Sequence, residues 1–197
     1  MGEHKIKTRA AFLDRDGVLN RPVVREGRPF PPARVEEFEL YPDAAKACAQ
    51  LKEAGFLLVV VTNQPDVGRG TQSRDIIEAM HTRLRAAIPF LDAIEVCFHA
   101  GAALGEPCEC RKPKPGMLLR AAAALDIDLR ESFLIGDRWR DIDGAHAAGC
   151  RSVLIDHGYS ETLREKPEFT VSNLSDAVSA ILKTLPQNRL SGSTRRD

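Results

Sequence analysis

The stretch that decides the fold is Phe12-Leu-Asp-Arg-Asp-Gly-Val-Leu-Asn20, in which two carboxylates follow an apolar run and precede a glycine. Residues 10–13 are apolar and preceded by charged residues, which predicts a buried strand of a parallel sheet. Ligands of open α/β sheets bind at the carboxyl ends of the strands. On extended chain Asp14 and Asp16 point the same way, so both can address one bound group, while Gly17 lets the backbone turn beneath it.

Neighbouring carboxylates repel each other, so this pair indicates either a bound divalent cation or a raised pKa. A solvated Asp-Arg-Asp-Gly turn is the alternative, because Asp and Gly both favour turns. The polar residues that follow the other predicted strands decide between these two interpretations.

The composition limits the classes of function. The chain has 197 residues, enough for one domain with a large core, and its 28 basic residues balance its 28 acidic ones. This balance gives no indication of a nucleic-acid or membrane partner. The longest apolar run, at 56–61, is far shorter than the roughly 20 residues of a membrane span, and the N-terminal residues lack the apolar segment of a secretory signal. We therefore expect a cytoplasmic protein.

Alternating apolar runs and helical patterns predict an α/β fold with a doubly wound parallel sheet. Strands are expected at about 9–14, 56–62, 93–98, 132–137 and 151–156, with a last edge strand at 169–173. Helices are expected at 41–54, 71–87, 115–125, 141–148 and 174–185. We expect one domain over residues 9–185, an N-terminal extension at 1–8 and a disordered tail at 186–197.

The segment between the first two predicted strands, residues 21–39, is rich in Pro and Arg and carries Glu26-Gly27 at the expected tip of a hairpin. It is long enough for a flap but too short for a folded cap domain. We therefore expect a capless protein with a site open to solvent and, from that, a monomer.

Two further segments place polar groups near the same sheet edge. The second strand ends at Thr62 and Asn63, whose neutral donors suit phosphate oxygens, although a plain turn is an equal alternative. Arg111 and Lys112 come just before a helix that starts near Pro115, and such cations can screen a bound phosphate. A solvated basic loop is the alternative for that segment.

The fourth strand ends at Asp137, as the first ends at Asp14. Together with the backbone carbonyl of Asp16 and water, these two carboxylates would form the oxygen-rich shell that Mg²⁺ prefers. Asp141 lies four residues later, and its position suits either an outer support of that shell or a helix cap.

The cysteines indicate a second metal. Five cysteines without an export signal argue against disulfides, and Cys48 and Cys150 are expected to be small core residues. Two tight pairs have the residue types of a closed tetrahedral zinc site, with buried thiols as the alternative: Cys97, His99, Cys108 and Cys110. The other histidines lack a partner motif and are expected to be structural or solvated.

The four strand-end segments, in this order, resemble those of the haloacid dehalogenase superfamily of phosphotransferases. They are 12–20, 62–64, 110–116 and 133–137. Within that superfamily the chain resembles the D-glycero-D-manno-heptose 1,7-bisphosphate 7-phosphatase family over roughly residues 9–185, with the histidinol-phosphatase domain as a close neighbour. The resemblance implies a magnesium-dependent phosphatase that acts on a sugar bisphosphate, with a structural zinc ion held by the Cys/His loop.

The resemblance also implies roles for individual residues. Asp14 would attack phosphorus to form an aspartyl-phosphate, and Asp16 would protonate the leaving oxygen and later activate water. Thr62 and Lys112 would hold the phosphoryl group, and Asp137 would complete the magnesium site. Substrate contacts are implied for Arg15, Pro22, Val23, Val24, Arg25, Asn63, Gln64, Pro65, Arg111 and Arg138.

Alternatives to this function remain open at the level of sequence. Pro65 and Asp66 depart from the small residue and glycine that usually follow Thr-Asn-Gln in the family, which leaves the identity of the sugar open. The eight residues between His99 and Cys108 make a short zinc loop, which keeps histidinol phosphate or another small phosphomonoester as an alternative substrate. A non-catalytic sugar-phosphate sensor is expected to have lost one of four residues, all of which are present: Asp14, Asp16, Lys112 and Asp137.

Overall fold

The computed structural model describes residues 8–105 and 107–186, so the expected N-terminal extension and tail lie outside the described residues except at Thr8 and Pro186. The strands are β1 (Ala10–Leu13), β2 (Val23–Arg25), β3 (Arg28–Phe30), β4 (Leu57–Asn63), β5 (Ala93–Cys97), β6 (Phe133–Gly136), β7 (Arg151–Ile155) and β8 (Phe169–Val171). The helices are α1 (Ala44–Glu53), α2 (Pro65–Gly68), α3 (Arg74–Ala87), α4 (Gly116–Leu125), α5 (Trp139–Ala148) and α6 (Leu174–Lys183). Short 3₁₀ helices lie at Val35–Glu37, Ala102–Leu104 and Leu129–Glu131.

Six strands form one parallel sheet in the order β5-β4-β1-β6-β7-β8. Different helices cover its two faces. Successive side chains of a strand point to opposite faces, so alternate residues of β1 pack in two different apolar cores. Ala11 and Leu13 pack with residues of α1, α3 and α6, whereas Ala10 and Phe12 pack with residues of α4 and α5. Burial on both faces explains why the inner strands are apolar throughout. The predicted doubly wound α/β fold is confirmed.

The position of β1 brings the predicted site residues together. β1 lies between β4 and β6; the chain runs from β1 to β4 and β5 on one side and then crosses to β6 on the other, and open α/β sheets bind ligands where the strand order reverses in this way. Asp14 directly follows β1, and its N–H donates to the carbonyl of Ile135 in β6 at 2.9 Å. Thr62 at the end of β4 and Asp137 just after β6 therefore flank Asp14 on its two sides.

The predicted flap is an antiparallel hairpin of β2 and β3. Its tip, Glu26-Gly27, has positive φ angles of 50° and 70°, as expected for the tight turns that join hairpin strands. The tip contacts the loop after β7, where the N–H of Ser160 donates to the carbonyl of Gly27 at 3.4 Å. Across the described residues between β1 and α1 there is no folded cap domain, in agreement with the prediction.

Helix boundaries differ from the predicted ones by a few residues. α3 begins at Arg74 instead of Thr71, because the Ser73 hydroxyl accepts from the N–H of Asp75 at 3.2 Å and caps the helix there. The residues from Pro65 to Gly68 form the additional short helix α2, which sequence patterns did not predict. Among the described residues, no helix combines the length and apolar character needed to cross a bilayer.

Candidate active site

A buried lysine lies at the centre of the site. The Nζ atom of Lys112 lies 3.0 Å from Oδ1 of Asp14 and 2.6 Å from Oδ1 of Asp141, and it donates to the carbonyl of Val61 at 2.7 Å. Burial lowers the pKa of Lys112, but the two carboxylates outweigh burial and raise it above its usual value. Two ion pairs and one hydrogen bond therefore hold the ammonium of Lys112 beside Asp14.

The loop that carries Lys112 is fastened to the end of β4 by Asn63. The side-chain oxygen of Asn63 accepts from the N–H of Lys112 at 3.1 Å, and its amide nitrogen donates to the Lys112 carbonyl at 3.1 Å. Both polar ends of the Asn63 side chain are used in this way. Asn63 therefore positions the lysine, although it also borders the cleft described below.

Three carboxylates meet beside the lysine, and each offers an oxygen within 4.8 Å of the others: Asp14, Asp137 and Asp141. Burial raises the pKa of Asp14 to about 7, and the charges of Asp141 and Asp16 add to the rise, while Lys112 opposes it. Burial and the charge of Asp14 likewise raise the pKa of Asp137. Among the described residues, neither oxygen of Asp137 has a hydrogen-bond partner of acceptable geometry. Three buried carboxylates that repel one another and share a single lysine fit a hard divalent cation.

Gly17 is required where the first loop passes this cluster. Its φ is +89°, a region that side chains rarely adopt, and a Cβ atom built there would lie 1.9 Å from Oδ2 of Asp137. Gly17, which was predicted to let the backbone turn, therefore also has a role in packing. It gives the Asp137 carboxylate room to approach the loop that follows Asp14.

Asp141 forms the helix cap that was one of the two roles considered for it, and the other role, outer support of a magnesium shell, stays a prediction. Its Oδ2 atom accepts from the backbone N–H of Arg138 at 3.1 Å and caps α5, which starts at Trp139, two residues earlier than predicted. Its Oδ1 atom pairs with Lys112. The cap thus ties the orientation of α5 to the charge at the centre of the site.

The carboxylate of Asp16 is held by three neighbouring side chains. Nε and Nη2 of Arg15 donate to it at 3.3 and 2.9 Å, Nδ2 of Asn20 donates at 3.0 Å, and Nε2 of Gln64 donates at 2.8 Å. Nε2 of Gln64 also donates to the hydroxyl oxygen of Thr62 at 2.8 Å. Because that oxygen already accepts a hydrogen bond, the Thr62 hydroxyl can donate its own hydrogen to a bound group.

Above these residues lies a cleft of about 560 Å³. Guanidinium groups from four segments line it: Arg28, Arg69, Arg111, Arg138 and Arg140. Arg138 pairs with Glu161, and Nη1 of Arg140 lies 4.0 Å from the same carboxylate. Burial lowers the pKa of Arg140, and the charges of Arg138 and Arg111 lower it further. Arg140 is therefore close enough to Arg138 and Arg111 for their charges to repel, and an anionic ligand would relieve this repulsion.

The Cys/His loop gathers the four predicted zinc ligands. The Sγ atom of Cys97 lies 3.1 Å from that of Cys110, 3.7 Å from that of Cys108 and 3.6 Å from Nδ1 of His99. These separations approximate the edges of a tetrahedron with Zn–S bonds of about 2.3 Å. Burial and the hydrogen bond with Cys110 raise the pKa of Cys97, a shift that a bound cation would offset. The set fits a zinc ion.

This loop is connected to the cleft through one arginine. Nη1 of Arg111 donates to the backbone carbonyl of His99 at 3.2 Å, and the guanidinium packs over Gly101, where a Cβ would lie 3.6 Å from Nε. A metal that fixes His99 therefore also fixes the position of Arg111 at the cleft.

The chain is similar to D-glycero-β-D-manno-heptose-1,7-bisphosphate 7-phosphatases. That of Yersinia pestis is 37% identical over 183 residues, covering 87% of this chain and 94% of the relative, and that of Pseudomonas putida is 37% identical over 180 residues, covering 88% and 97%. The chain belongs to this phosphatase family. The crystal structure of D,D-heptose 1,7-bisphosphate phosphatase from B. bronchiseptica, complexed with magnesium and phosphate, is 30% identical with a TM-score of 0.75, covering 90% of this chain and 99% of that one. Residues 109–177 also match the HAD-hydrolase-like family model.

Some of the site residues implied by the heptose bisphosphatase resemblance line the cleft, and others do not. Those that line the cleft are Asp14, Asp16, Pro22, Thr62, Asn63, Pro65, Arg111, Lys112, Asp137 and Arg138. Two implied substrate contacts lie behind Asp16 instead: Gln64 is buried and Arg15 has 0% exposure. Arg15 cannot reach a ligand in the cleft, because its guanidinium is enclosed by protein and donates to Asp16.

The hairpin residues implied as substrate contacts also differ from expectation. Val23, Val24 and Arg25 do not line the cleft, and Val24, which is 54% exposed, borders a separate depression with Tyr41 and Tyr159. β3 contributes instead: Arg28 and Phe30 line the cleft. The hairpin was predicted, but its register was not. The register decides which side chains of the hairpin face the ligand.

Three cleft arginines were missed in the sequence analysis. Arg28 follows the predicted hairpin tip, Arg69 directly follows α2, and Arg140 lies two residues after Arg138. The only sequence signal was the arginine content of the flap and of the 138–140 segment.

We expect the purified protein to contain about one equivalent of zinc, held tightly enough to survive dialysis against Mg²⁺ buffer. Cys108→Ser should remove most of that zinc and weaken substrate binding through Arg111. Cys150→Ser is the matched control, because Cys150 is a buried thiol outside the group of four metal ligands and burial raises its pKa to about 12. Metal analysis and KM measurements check both outcomes, and a Cys108→Ser protein with undiminished zinc would contradict the assignment.

Proposed function

We propose that this protein is a magnesium-dependent phosphatase that removes the 7-phosphate of D-glycero-D-manno-heptose 1,7-bisphosphate through an aspartyl-phosphate on Asp14. One observation carries the proposal. Asp14 lies at the central strand end beside the buried ammonium of Lys112 and the buried carboxylate of Asp137, whose oxygens accept no hydrogen bond of acceptable geometry from the described residues, beneath a cleft lined by arginines. This combination suits the capture of a phosphoryl group by a carboxylate, followed by hydrolysis.

The first step forms a bond between a carboxylate oxygen of Asp14 and phosphorus, while the bond from phosphorus to the sugar oxygen breaks. Asp16 gives a proton to that oxygen, so the sugar leaves as an alcohol. In the second step a water oxygen bonds to phosphorus, Asp16 takes the proton of that water, and the bond to Asp14 breaks. Inorganic phosphate leaves, and both carboxylates return to their starting forms.

Two side chains support the transferring group in these steps. The Thr62 hydroxyl, which already accepts from Gln64, donates to a phosphoryl oxygen. The ammonium of Lys112 lies next to Asp14 and opposes the charge that builds up on the phosphoryl oxygens. A magnesium ion held by Asp14, Asp137 and the backbone carbonyl of Asp16 would neutralise the charges of the nucleophile and the phosphate.

The arginines of the cleft support a bisphosphate substrate. One phosphate at Asp14 accounts for Lys112 and Thr62 but leaves the guanidiniums of Arg111, Arg138 and Arg140 unexplained. A second phosphate between these guanidiniums would supply the negative charge that the cluster lacks. A substrate with phosphates at both ends of a seven-carbon sugar fits this arrangement better than histidinol phosphate, whose far end is cationic.

The cellular setting is also a proposal. We propose that the protein acts on a small phosphorylated metabolite in the cytoplasm as a monomer, without a nucleic-acid or membrane partner. The balanced charge of the sequence and the charge that retains sugar phosphates inside cells support this setting. Light scattering of the purified protein tests the monomer.

A phosphate-release screen with Mg²⁺ tests the substrate. We expect the highest kcat/KM for heptose 1,7-bisphosphate, and the screen should include both anomers, because the relatives above are named for the β form. Heptose 7-phosphate, fructose 1,6-bisphosphate and histidinol phosphate are the comparison substrates. Phosphorus NMR of the product should show that the 7-phosphate is the one lost. A preference for histidinol phosphate would overturn the substrate assignment.

Replacing the nucleophile tests the covalent step. Asp14→Asn should lower kcat by at least about 100-fold, because an amide is a poor nucleophile towards phosphorus. Asp66→Asn is the matched control: its carboxylate borders the same cleft but pairs with Arg69. Mass spectrometry of acid-quenched wild-type enzyme should locate a phosphoryl group on Asp14. Activity above a hundredth of wild type in Asp14→Asn is incompatible with covalent attack by this residue.

Arg140 provides a test of the second phosphate. Arg140→Gln should raise KM for the bisphosphate by about tenfold, with a smaller change for heptose 7-phosphate, since a charge-assisted contact with phosphate is worth about 1.5–3 kcal/mol. Arg34→Gln serves as control, because Arg34 is exposed and pairs with Glu37 outside the cleft. Equal KM changes for the bisphosphate and the monophosphate would show that Arg140 does not contact the second phosphate.

A further inference from the structure

A buried histidine lies behind Asp16. His81 is 5% exposed and lies on the core-facing side of α3 with Ile77, Met80 and Leu84. Its Nε2 atom lies 3.3 Å from Nη1 of Arg15, and its Nδ1 atom lies 3.3 Å from Oε2 of Glu78. A guanidinium has only donors, so Nε2 accepts from Arg15, and the ring proton is on Nδ1 and is donated to Glu78.

Arg15 connects this histidine to the carboxylate at the cleft. Its side chain has no exposed surface, and its guanidinium divides its donors between two partners. Nε and Nη2 contact Asp16, while Nη1 contacts His81. The ring of Phe38 lies 5.6 Å from the guanidinium carbon. A buried guanidinium needs hydrogen-bond acceptors for all of its nitrogens. Asp16 accepts from Nε and Nη2 of Arg15, and His81 supplies the acceptor for Nη1.

We propose that neutral His81 is a positioning residue for the general acid: by accepting from Arg15 it holds the guanidinium on Asp16 and fixes that carboxylate at the edge of the cleft. The inference rests on the proposed role of Asp16 as proton donor. Burial and the charge of Arg15 lower the pKa of His81, although Glu78 and Asp16 oppose the shift, so the ring keeps the lone pair that this contact requires.

This arrangement predicts a chemical signature beyond a general loss of activity. An alkoxide leaves poorly and needs the proton from Asp16, whereas 4-nitrophenolate leaves readily without one. A misplaced acid therefore slows cleavage of a sugar phosphate more than cleavage of 4-nitrophenyl phosphate. The value of kcat/KM reports this difference, because it covers the steps up to and including cleavage of the ester bond.

The experiment compares kcat/KM for the best sugar phosphate of the screen with that for 4-nitrophenyl phosphate. His81→Leu should lower the first by about tenfold and the second by less than about threefold, as expected for displacement of a proton donor. His81→Gln should restore most of the loss, because its amide oxygen can take the place of Nε2 and accept from Arg15. His81→Asn, whose amide is too short to reach that place, should behave like His81→Leu and gives a polar alternative if the leucine variant does not fold.

Two controls separate positioning from general loosening. Leu84→Ala disturbs the same buried face of α3 one turn from His81 and should lower both kcat/KM values by a similar factor. Equal losses on both substrates in His81→Leu, or no recovery in His81→Gln, would overturn the proposal. Asp16→Asn in the same assay tests the underlying function. If its loss does not depend on the leaving group, Asp16 is not the acid; if it does while His81→Leu shows no such dependence, only the role of His81 fails.

Discussion

The ion pairs of Lys112 are the interaction on which the rest of the site depends. An ammonium removed from water costs several kcal/mol unless every donor is paired. The three partners of Lys112 come from three separate parts of the fold: Asp14 follows β1, Val61 lies in β4 and Asp141 lies in the first turn of α5. Burial of this one charge therefore requires that β1, β4 and α5 already have their final positions, and Asn63 fastens the loop that brings the lysine to them.

The same pairing leaves a deficit of positive charge. Lys112 faces Asp14 and Asp141, and Asp137 adds a third carboxylate whose oxygens have no partner of acceptable geometry among the described residues. The pKa values of Asp14 and Asp137 are raised because each carboxylate is buried and lies beside other negative charges. Protonation of either one would reduce the repulsion between the carboxylates. If Asp14 is the nucleophile proposed above, it must be ionised, and a divalent cation and a phosphate bound together would relieve the repulsion that its ionised form creates.

Sequence patterns predicted the fold well because the signals that set it are local. Apolar runs with polar ends predicted all six strands of the main sheet, and parallel strands then required Asp14, Thr62 and Asp137 to meet at one edge. The two tight Cys/His pairs predicted the zinc cluster for the same reason. The substrate contact implied for Arg15 was wrong. The alternation that points Asp14 and Asp16 towards the cleft points the residue between them into the protein. His81 was expected only to be structural or solvated, because nothing local in the sequence brings it to Arg15; the structure does.

Arg28, Arg69 and Arg140 could not be predicted as cleft residues, because their meeting with Arg111 and Arg138 depends on contacts between distant segments. Glu161, from the loop after β7, pairs with Arg138 and lies near Arg140. In the proposed complex, a distal phosphate would compete with this carboxylate for the guanidiniums. Phosphate has three acceptor oxygens and close to two negative charges, whereas a carboxylate has two oxygens and one charge, so the competition favours phosphate. A ligand whose far end is neutral or cationic gains nothing from displacing Glu161, and the internal ion pair therefore discriminates against such ligands as well as holding Arg138 in place.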